Sequence, residues 1–339
     1  MTGKGDPVLV TGAAGFIGHA TAHRLLDRGE RVIGFDIVND YYDPALKEAR
    51  LATLMEREGF SFHRMDVSDA EGVAALLRDN GIERVVHLAA QAGVRYSLQN
   101  PFAYEKSNLQ GHLAILEACR HAPNFRHLVY ASSSSVYGDR PIGGVGYRED
   151  ETAANPASLY AATKRACELM SQAYANLYGF AQTGLRFFTV YGPWGRPDMA
   201  YFSFTQKILA GQPIEIYGEG KMARDFTYID DIVDGIIGSL DHVPENGAHR
   251  VFNIGDNHPV GLMDMVQTLE RAIGVEAEKI MKPMQPGDVT ATYADVSALH
   301  ALTGYKPKVM LAEGLERFAL WYRDYYQVDA AASPQLQRA

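Results

Sequence analysis

The chain has 339 residues, long enough for a full α/β domain and a smaller second one, with an ordinary apolar fraction of 47% and charged fraction of 22%. No apolar run approaches the roughly 20 residues of a membrane span, and a formal net charge of −9 is the opposite of the basic footprint of general nucleic-acid binding. Residues 1–7 are short and polar, without the pattern of a signal peptide. The two cysteines, Cys119 and Cys167, fall in helical stretches, so no disulfide framework is expected and the cytoplasm is the expected compartment.

Taken in chain order, the first half alternates short β-rich runs with helical periodicity. Strands are predicted over 8–11, 31–36, 60–66, 84–88, 127–132 and 182–188, and helices over 14–28, 69–80, 108–121 and 156–178. Gly29 and Gly81 stop the first two helices. Such alternation predicts a doubly wound parallel sheet with helices on both faces and ligands at the carboxyl ends of the strands. The second half is less regular. Strands are expected over 226–229 and 251–254, helices over 262–273 and 311–325, and a fraying tail beyond 330.

The first strand runs into Gly12-Ala13-Ala14-Gly15-Phe16-Ile17-Gly18. Gly12 permits a tight turn, Gly15 lets a pyrophosphate approach the backbone, and Gly18 lets helix and strand pack closely. The N-terminus of the following helix offers free N–H groups to the anion. Asp36 ends the second strand 18 positions after Gly18. A carboxylate there accepts bonds from ribose hydroxyls and repels a 2′-phosphate, which favours NAD over NADP. Asp66 and Val67 close the third strand, within reach of an adenine amino group.

Tyr160 and Lys164 stand four apart on one helix face, so phenol and ammonium can converge on one ligand. A free tyrosine titrates near ~10; a neighbouring cation favours phenolate, as a general base needs. Upstream, the fifth strand ends in Ser132-Ser133-Ser134-Ser135, which puts hydroxyls at the mouth of the expected crevice.

These three parts in this order resemble the extended short-chain dehydrogenase/reductase family. The resemblance runs from Val8 to about Tyr325. It includes His87-Leu88-Ala89-Ala90, Ser133-Ser134-Ser135-Val136-Tyr137-Gly138, and Arg224-Asp225-Phe226-Thr227-Tyr228-Ile229-Asp230-Asp231. It implies a Rossmann-type α/β fold with a smaller mixed α/β substrate domain, and a homodimer built on a four-helix interface. It implies tightly held NAD, a nucleotide-linked sugar as substrate, and no metal. The implied division is an NAD-binding domain over 1–188, with a returning segment near 224–255. The nucleotide-sugar domain would take 189–223 and 256–330, and 331–339 would form a tail.

The implied roles follow residue by residue. Tyr160, Lys164 and Ser133 are catalytic. Gly12, Gly15, Phe16, Ile17, Gly18, Asp36, Asp66, Val67, Leu88, Ala89 and Ala90 hold the cofactor together with Tyr160 and Lys164. Arg95, Ser133, Ser134, Ser135, Tyr160, Thr189, Arg196, Arg224 and Asp288 hold the substrate.

Dehydratases of the family carry an Asp-Glu pair after the serine, and decarboxylases a Glu before Val-Tyr-Gly. This chain has Ser134 and Ser135, which leaves removal and return of hydrogen, an epimerisation. The runs Val38-Asn39-Asp40-Tyr41-Tyr42-Asp43, Leu46-Lys47-Glu48-Ala49-Arg50, Gln91-Ala92-Gly93-Val94-Arg95-Tyr96-Ser97 and Phe188-Thr189-Val190-Tyr191-Gly192-Pro193-Trp194-Gly195-Arg196-Pro197-Asp198-Met199 resemble the branch that epimerises UDP-glucuronate at carbon 4. A uronate needs a cation for its carboxylate. Arg196, on the loop after the sixth strand, is the expected clamp, and Arg186, inside that strand, is expected to be structural. The alternatives are a UDP-glucose/UDP-galactose or N-acetylhexosamine 4-epimerase, and a non-catalytic NAD-sensing protein, which the intact Tyr160/Lys164 pair argues against.

Overall fold

The computed structural model describes residues 6–139, 146–285 and 289–328. Six strands build the first half: β1 (Val8–Thr11), β2 (Val32–Asp36), β3 (Phe60–Arg64), β4 (Arg84–His87), β5 (His127–Ser133) and β6 (Gln182–Phe187). Later come β7 (Thr189–Tyr191), β8 (Ile214–Tyr217), β9 (Ala223–Tyr228), β10 (His249–Ile254), β11 (Pro259–Gly261), β12 (Lys279–Lys282) and β13 (Ala291–Thr292). The helices are α1 (Phe16–Asp27), α2 (Pro44–Met55), α3 (Ala70–Asn80), the short α4 (Tyr96–Gln99) and α5 (Pro101–Tyr104), α6 (Gly111–His121), α7 (Leu159–Tyr178), α8 (Ala200–Leu209), α9 (Ile229–Asp241), α10 (Leu262–Ile273), α11 (Ser297–Thr303) and α12 (Leu311–Tyr326).

The large sheet is seven-stranded in the order β10-β6-β5-β4-β1-β2-β3, every pair parallel. A parallel sheet is covered on both faces, so its central strands are shielded from water on both sides; all four residues of β1 are buried. The pleat sends Val8 and Val10 into one core, with Leu25 of α1 and Ile232 of α9. Leu9 goes into the other, with Leu77 of α3 and Leu116 of α6. The order reverses between β1 and β4, which leaves a crevice at the carboxyl ends of those strands.

The chain leaves this sheet after β6. The segments β7, β9, β11 and β13 form a smaller mixed sheet, and β8 pairs with β12. Helices α8 and α12 close over it through Phe202, Phe318 and Trp321. The return expected near 224–255 is split. Strand β9 lies in the small sheet, while α9 covers the large sheet and β10 becomes its outer strand beside β6.

Other elements differ from the sequence reading as well: α2 forms where no helix was expected, and α7 opens at Leu159 rather than at 156. The helix expected from residue 108 begins as α6 at Gly111, and the preceding turns over Glu105–Gln110 widen to π-helical geometry. That opening lets the buried Asn108 side chain accept from Gln91 N (2.8 Å) and donate to Gln91 O (3.1 Å) and Thr163 Oγ1 (3.0 Å), a local exception of the kind found near functional sites. The strand expected over 226–229 ends at Tyr228, and Ile229 opens α9, whose first turn carries Asp230 and Asp231.

Candidate active site

The turn after β1 builds the first wall of the site. Gly12 has φ +72°, and a Cβ there would meet Ala89 N at 2.9 Å. A Cβ on Gly18 would come within 2.1 Å of Gly12 O, so α1 approaches the turn as only glycine allows. Thr11 Oγ1 accepts from Leu88 N (3.1 Å) and Ala89 N (2.9 Å), which stitches the ends of β1 and β4 together. The N-cap of α1 is Gly15, with no side-chain cap and no acidic residue in the first turn. The first N–H groups of a helix lack intrahelical partners, so this end is open to an anion.

Asp36, at the end of β2, and Asp66, just past β3, form the next part of the wall. Burial pushes the Asp36 carboxyl up, against the Val38 N–H bond (2.7 Å) and the nearby Lys47 cation. The Lys47 ammonium is itself lowered by burial, against the pull of Asp36, and donates to Asn39 O at 2.8 Å. For Asp66, burial is outweighed by Lys106, whose Nζ lies 2.8 Å away, and by Ser68, so the carboxyl sits below its ordinary range.

The opposite wall comes from β5 and α7. Successive serines on a strand face opposite ways. Ser132 donates to Glu168 Oε1 (2.6 Å), part of a buried pair in which Glu168 binds Arg186 through two bonds of 2.8 Å. Arg186 is therefore structural, as its place inside the strand suggests. Ser133 accepts from Ser135 N (3.2 Å) and Ser135 Oγ (2.9 Å), and neither bond consumes its own proton, which is left to donate. Ser158 caps α7 through Ala161 N (3.1 Å), so Tyr160 stands in the helix's first turn. Lys164 is 5% exposed and donates to Ala131 O at 2.9 Å. The Tyr160 ring meets Tyr104 edge-on at 6.0 Å.

A cavity of about 400 Å³ joins these walls. It is lined by Gly12, Gly15, Phe16, Ile17, Gly18, Asp36, Asp66, Val67, Leu88, Ala89, Ala90, Ser133, Tyr160, Lys164 and Arg196. Among its described lining residues the carboxylates are Asp36 and Asp66 alone, so none of these residues places an acid beside Ser133.

Other predicted site residues lie off this lining. Ser134 and Ser135 enter a 3₁₀ turn over Ser134–Tyr137, which carries them past the wall; Ser135 touches the site through Ser133. Thr189 is paired into β7 opposite Phe226. The Arg95 guanidinium lies 4.9 Å from the centroid of the Tyr217 ring. Arg224 donates to Ala223 O (2.8 Å) and Val289 O (2.7 Å). Asp288 lies outside the described residues.

Arg196 reaches the cavity with its fork already engaged. Nε and Nη2 donate to the two oxygens of Asp198, at 3.0 and 2.5 Å. Burial, which opposes both charges, is outweighed by their mutual attraction: the Arg196 cation is raised and the Asp198 carboxyl lowered. Tyr41 Oη donates to the same carboxylate at 3.1 Å.

Residues 8–255 match the NAD dependent epimerase/dehydratase family. The chain belongs to this family. A member from Arabidopsis thaliana, UDP-glucuronate 4-epimerase 3, is 48% identical over 339 residues, covering 96% of this chain and 78% of that protein. A probable UDP-glucuronate 4-epimerase of Rhizobium meliloti is 47% identical, covering 94% and 97%. Among solved structures, UDP-glucuronic acid 4-epimerase from Bacillus cereus, in complex with UDP-glucuronic acid and NAD, is 34% identical, with a TM-score of 0.88 over 94% of this chain and all of that one.

The sequence reading passed over Asn39, Tyr41, Lys47, Gln91, Lys106 and Met199, which also line the cavity. Several lie inside runs that carry the family resemblance. What was missing was any local pattern to tell a lining side chain from its neighbours.

Proposed function

We propose that this protein interconverts UDP-glucuronate and UDP-galacturonate by epimerisation at carbon 4 with NAD as its cofactor. The observation that carries the reading is one cavity lined by the glycine turn, Asp36, Ser133, Tyr160, Lys164 and the Arg196 cation.

The cradle fits a dinucleotide, because a Cβ at Gly18 would collide with Gly12 O of the turn and one at Gly12 with Ala89 after β4, while the α1 N-terminus stays uncapped. Gly12–Gly18 would take the pyrophosphate, Asp36 the adenosine ribose, Asp66 the adenine side, and Lys164 the nicotinamide ribose. Bound NAD supplies a reversible acceptor for the hydrogen and electron pair of the sugar's carbon 4. Tyr160 takes the proton of the 4-hydroxyl as that carbon becomes a ketone, and returns it after the sugar has turned over. Ser133 donates to the same oxygen. Asp36 disfavours a 2′-phosphate.

A 4-keto uronate is a β-keto acid, and it loses carbon dioxide when the carboxylate bond aligns with the carbonyl π system. Arg196 restrains the carboxylate, with Thr189 as a second contact. Because Asp198 already occupies Nε and Nη2, the substrate is met through the Nη1 side of the fork or by displacing Asp198. Arg95, Arg224 and Asp288 take the nucleotide end. Residues 1–188 with the returning segment serve the cofactor, and 189–223 with 256–330 the nucleotide sugar.

The protein is a homodimer in this reading. Phe102 of α5, Leu113 of α6 and Leu169 and Leu177 of α7 are large apolar side chains with 42–80% exposure, a density that marks an interaction face. Among the described residues no helix is long and apolar enough to cross a membrane, and the cytoplasm is the compartment this reading assigns.

The test is to incubate the purified protein with UDP-glucuronate and follow products by NMR. UDP-galacturonate should form with no net change in NAD. Faster turnover of UDP-glucose than of UDP-glucuronate would overturn the uronate assignment.

A further inference from the structure

Arg50 lies on α2, fully buried, and its ligands among the described residues are oxygens of uncharged groups. Nε donates to Trp194 O (3.0 Å), and Nη2 to Trp194 O (2.6 Å) and Gly195 O (2.9 Å). Nη1 donates to Ala14 O (3.0 Å) and Tyr42 Oη (2.7 Å). All five N–H groups of the guanidinium are thus engaged. Ala14 belongs to the cofactor turn, and Trp194 and Gly195 are the two residues before Arg196.

The backbone these bonds hold is not one the loop would keep alone. Trp194 has φ +62°, left-handed geometry that is costly for a bulky residue and persists only when its surroundings over-determine it. A Cβ on Gly195 would lie 1.7 Å from the Tyr201 hydroxyl, so the loop is also pressed from behind. A buried cation without a carboxylate is expensive unless every donor is satisfied. Here the carbonyl oxygens that satisfy it belong to the two segments that must keep register for cofactor and substrate to meet, and the Tyr42 hydroxyl completes the set.

We propose that Arg50 is a positioning residue for uronate recognition: it ties the backbone just before Arg196 to the cofactor turn, and so fixes where the Arg196 cation stands relative to carbon 4. The proposal rests on the reading of Arg196 as the carboxylate's partner. Two arms then aim Arg196, Arg50 through the main chain and Asp198, braced by Tyr41, through the side chain. A role in folding alone would weaken all ligands together. A positioning role weakens the one ligand group that Arg196 meets.

The experiment measures affinity of the NAD-loaded protein for UDP-glucuronate and for UDP-glucose by calorimetry, with melting temperature and NAD affinity as controls. The proteins are the unmodified chain, Arg50→Met, Arg50→Lys, Arg196→Ala and Arg50→Met with Arg196→Ala. Arg50→Met should weaken UDP-glucuronate at least about tenfold, one decade being about 1.4 kcal/mol, and UDP-glucose less than about threefold. In the Arg196→Ala background the same substitution should produce no further selective loss, because coupled residues are not additive. Arg50→Lys should fall between, since one ammonium cannot span three carbonyls as the planar fork does. It carries the comparison if the methionine variant does not fold. Parallel weakening of both sugars, or full additivity with Arg196→Ala, would overturn the proposal, as would unmodified selectivity in Arg50→Lys. If Arg196→Ala alone leaves the preference for the uronate intact, the carboxylate assignment itself fails, and that outcome is separate.

Discussion

At the scale of single residues, the site works by leaving a few groups uncommitted among many that are satisfied. Ser132 and Ser133 are neighbours with opposite fates: one is bonded into the Glu168–Arg186 pair, and the other is left with a proton to give. Tyr160 faces the cavity from the first turn of α7, with Lys164 anchored on β5 one turn along. Tyr160→Phe should therefore lower kcat by at least about a hundredfold, the usual weight of a positioned acid–base group, while UDP-sugar affinity persists because the ring still packs on Tyr104. A variant with near-normal turnover would remove Tyr160 from the chemistry.

Asp256 makes a different kind of prediction. Burial, reinforced by Asp225 and Asp231, raises its carboxyl from 3.8 to about 7. The folded protein then binds more protons than the unfolded chain between those values. The stability involved is complete below about 3.8 and is lost as pH rises towards about 7. Asp256→Asn should melt higher than the unmodified protein near pH 8 and level with it near pH 4. The difference between the two proteins is the quantity to follow, and a difference that does not vary with pH would rule out this account of Asp256.

At the scale of elements, the proposed role of the strand-turn-helix unit from Val8 to Asp27 in cofactor binding rests on backbone clearance. The 2.1 Å approach of a Gly18 Cβ to Gly12 O cannot be relieved by a side-chain rotation. Gly18→Ala should displace the start of α1 and lower NAD affinity by at least about tenfold. Ligand binding raises stability by RT ln(1 + [L]/Kd), so the check is the rise in melting temperature on adding NAD, which should shrink in the variant. An undiminished rise would show that the turn tolerates the methyl group. The π-helical turns before α6 are a second such unit. They give up regular helix geometry and bring Asn108 between the loop after β4 and the catalytic helix.

At the scale of the whole molecule, the crevice draws on both sheets: the glycine turn and the helix of Tyr160 and Lys164 flank the large sheet, and Arg196 lies on the loop after β7 of the small one. The apolar residues on the outer face of α5–α7 predict how copies associate. Leu169→Glu together with Leu177→Glu places charges on side chains that are 56% and 70% exposed, so the fold should survive while a dimer held by this face dissociates. Light scattering on the eluting peak should report one chain for the variant and two for the unmodified protein. Equal masses for both would mean that this face is not the interface.

What the sequence by itself determined is whatever short-range pattern encodes. Strand alternation, helical period, the Gly12–Gly18 spacing and the four-residue step from Tyr160 to Lys164 each act within one element, where geometry follows from neighbouring φ and ψ angles. These were enough to place the large sheet, the glycine turn after β1 and the helix that carries Tyr160 and Lys164. The second half was less legible because several of its strands have only two or three residues, as in β7, β11 and β13, and because α9 starts at Ile229 without a side-chain cap. Only the tertiary structure decided that Arg50 grips Trp194 and Gly195, across 144 and 145 positions, that Asp198 engages Arg196 under Tyr41, and that Asn108 bonds Thr163. The physical reason is reach: a long polar side chain chooses its partner from whatever the fold brings within about 3 Å, and no periodicity along the chain records which distant carbonyl that will be.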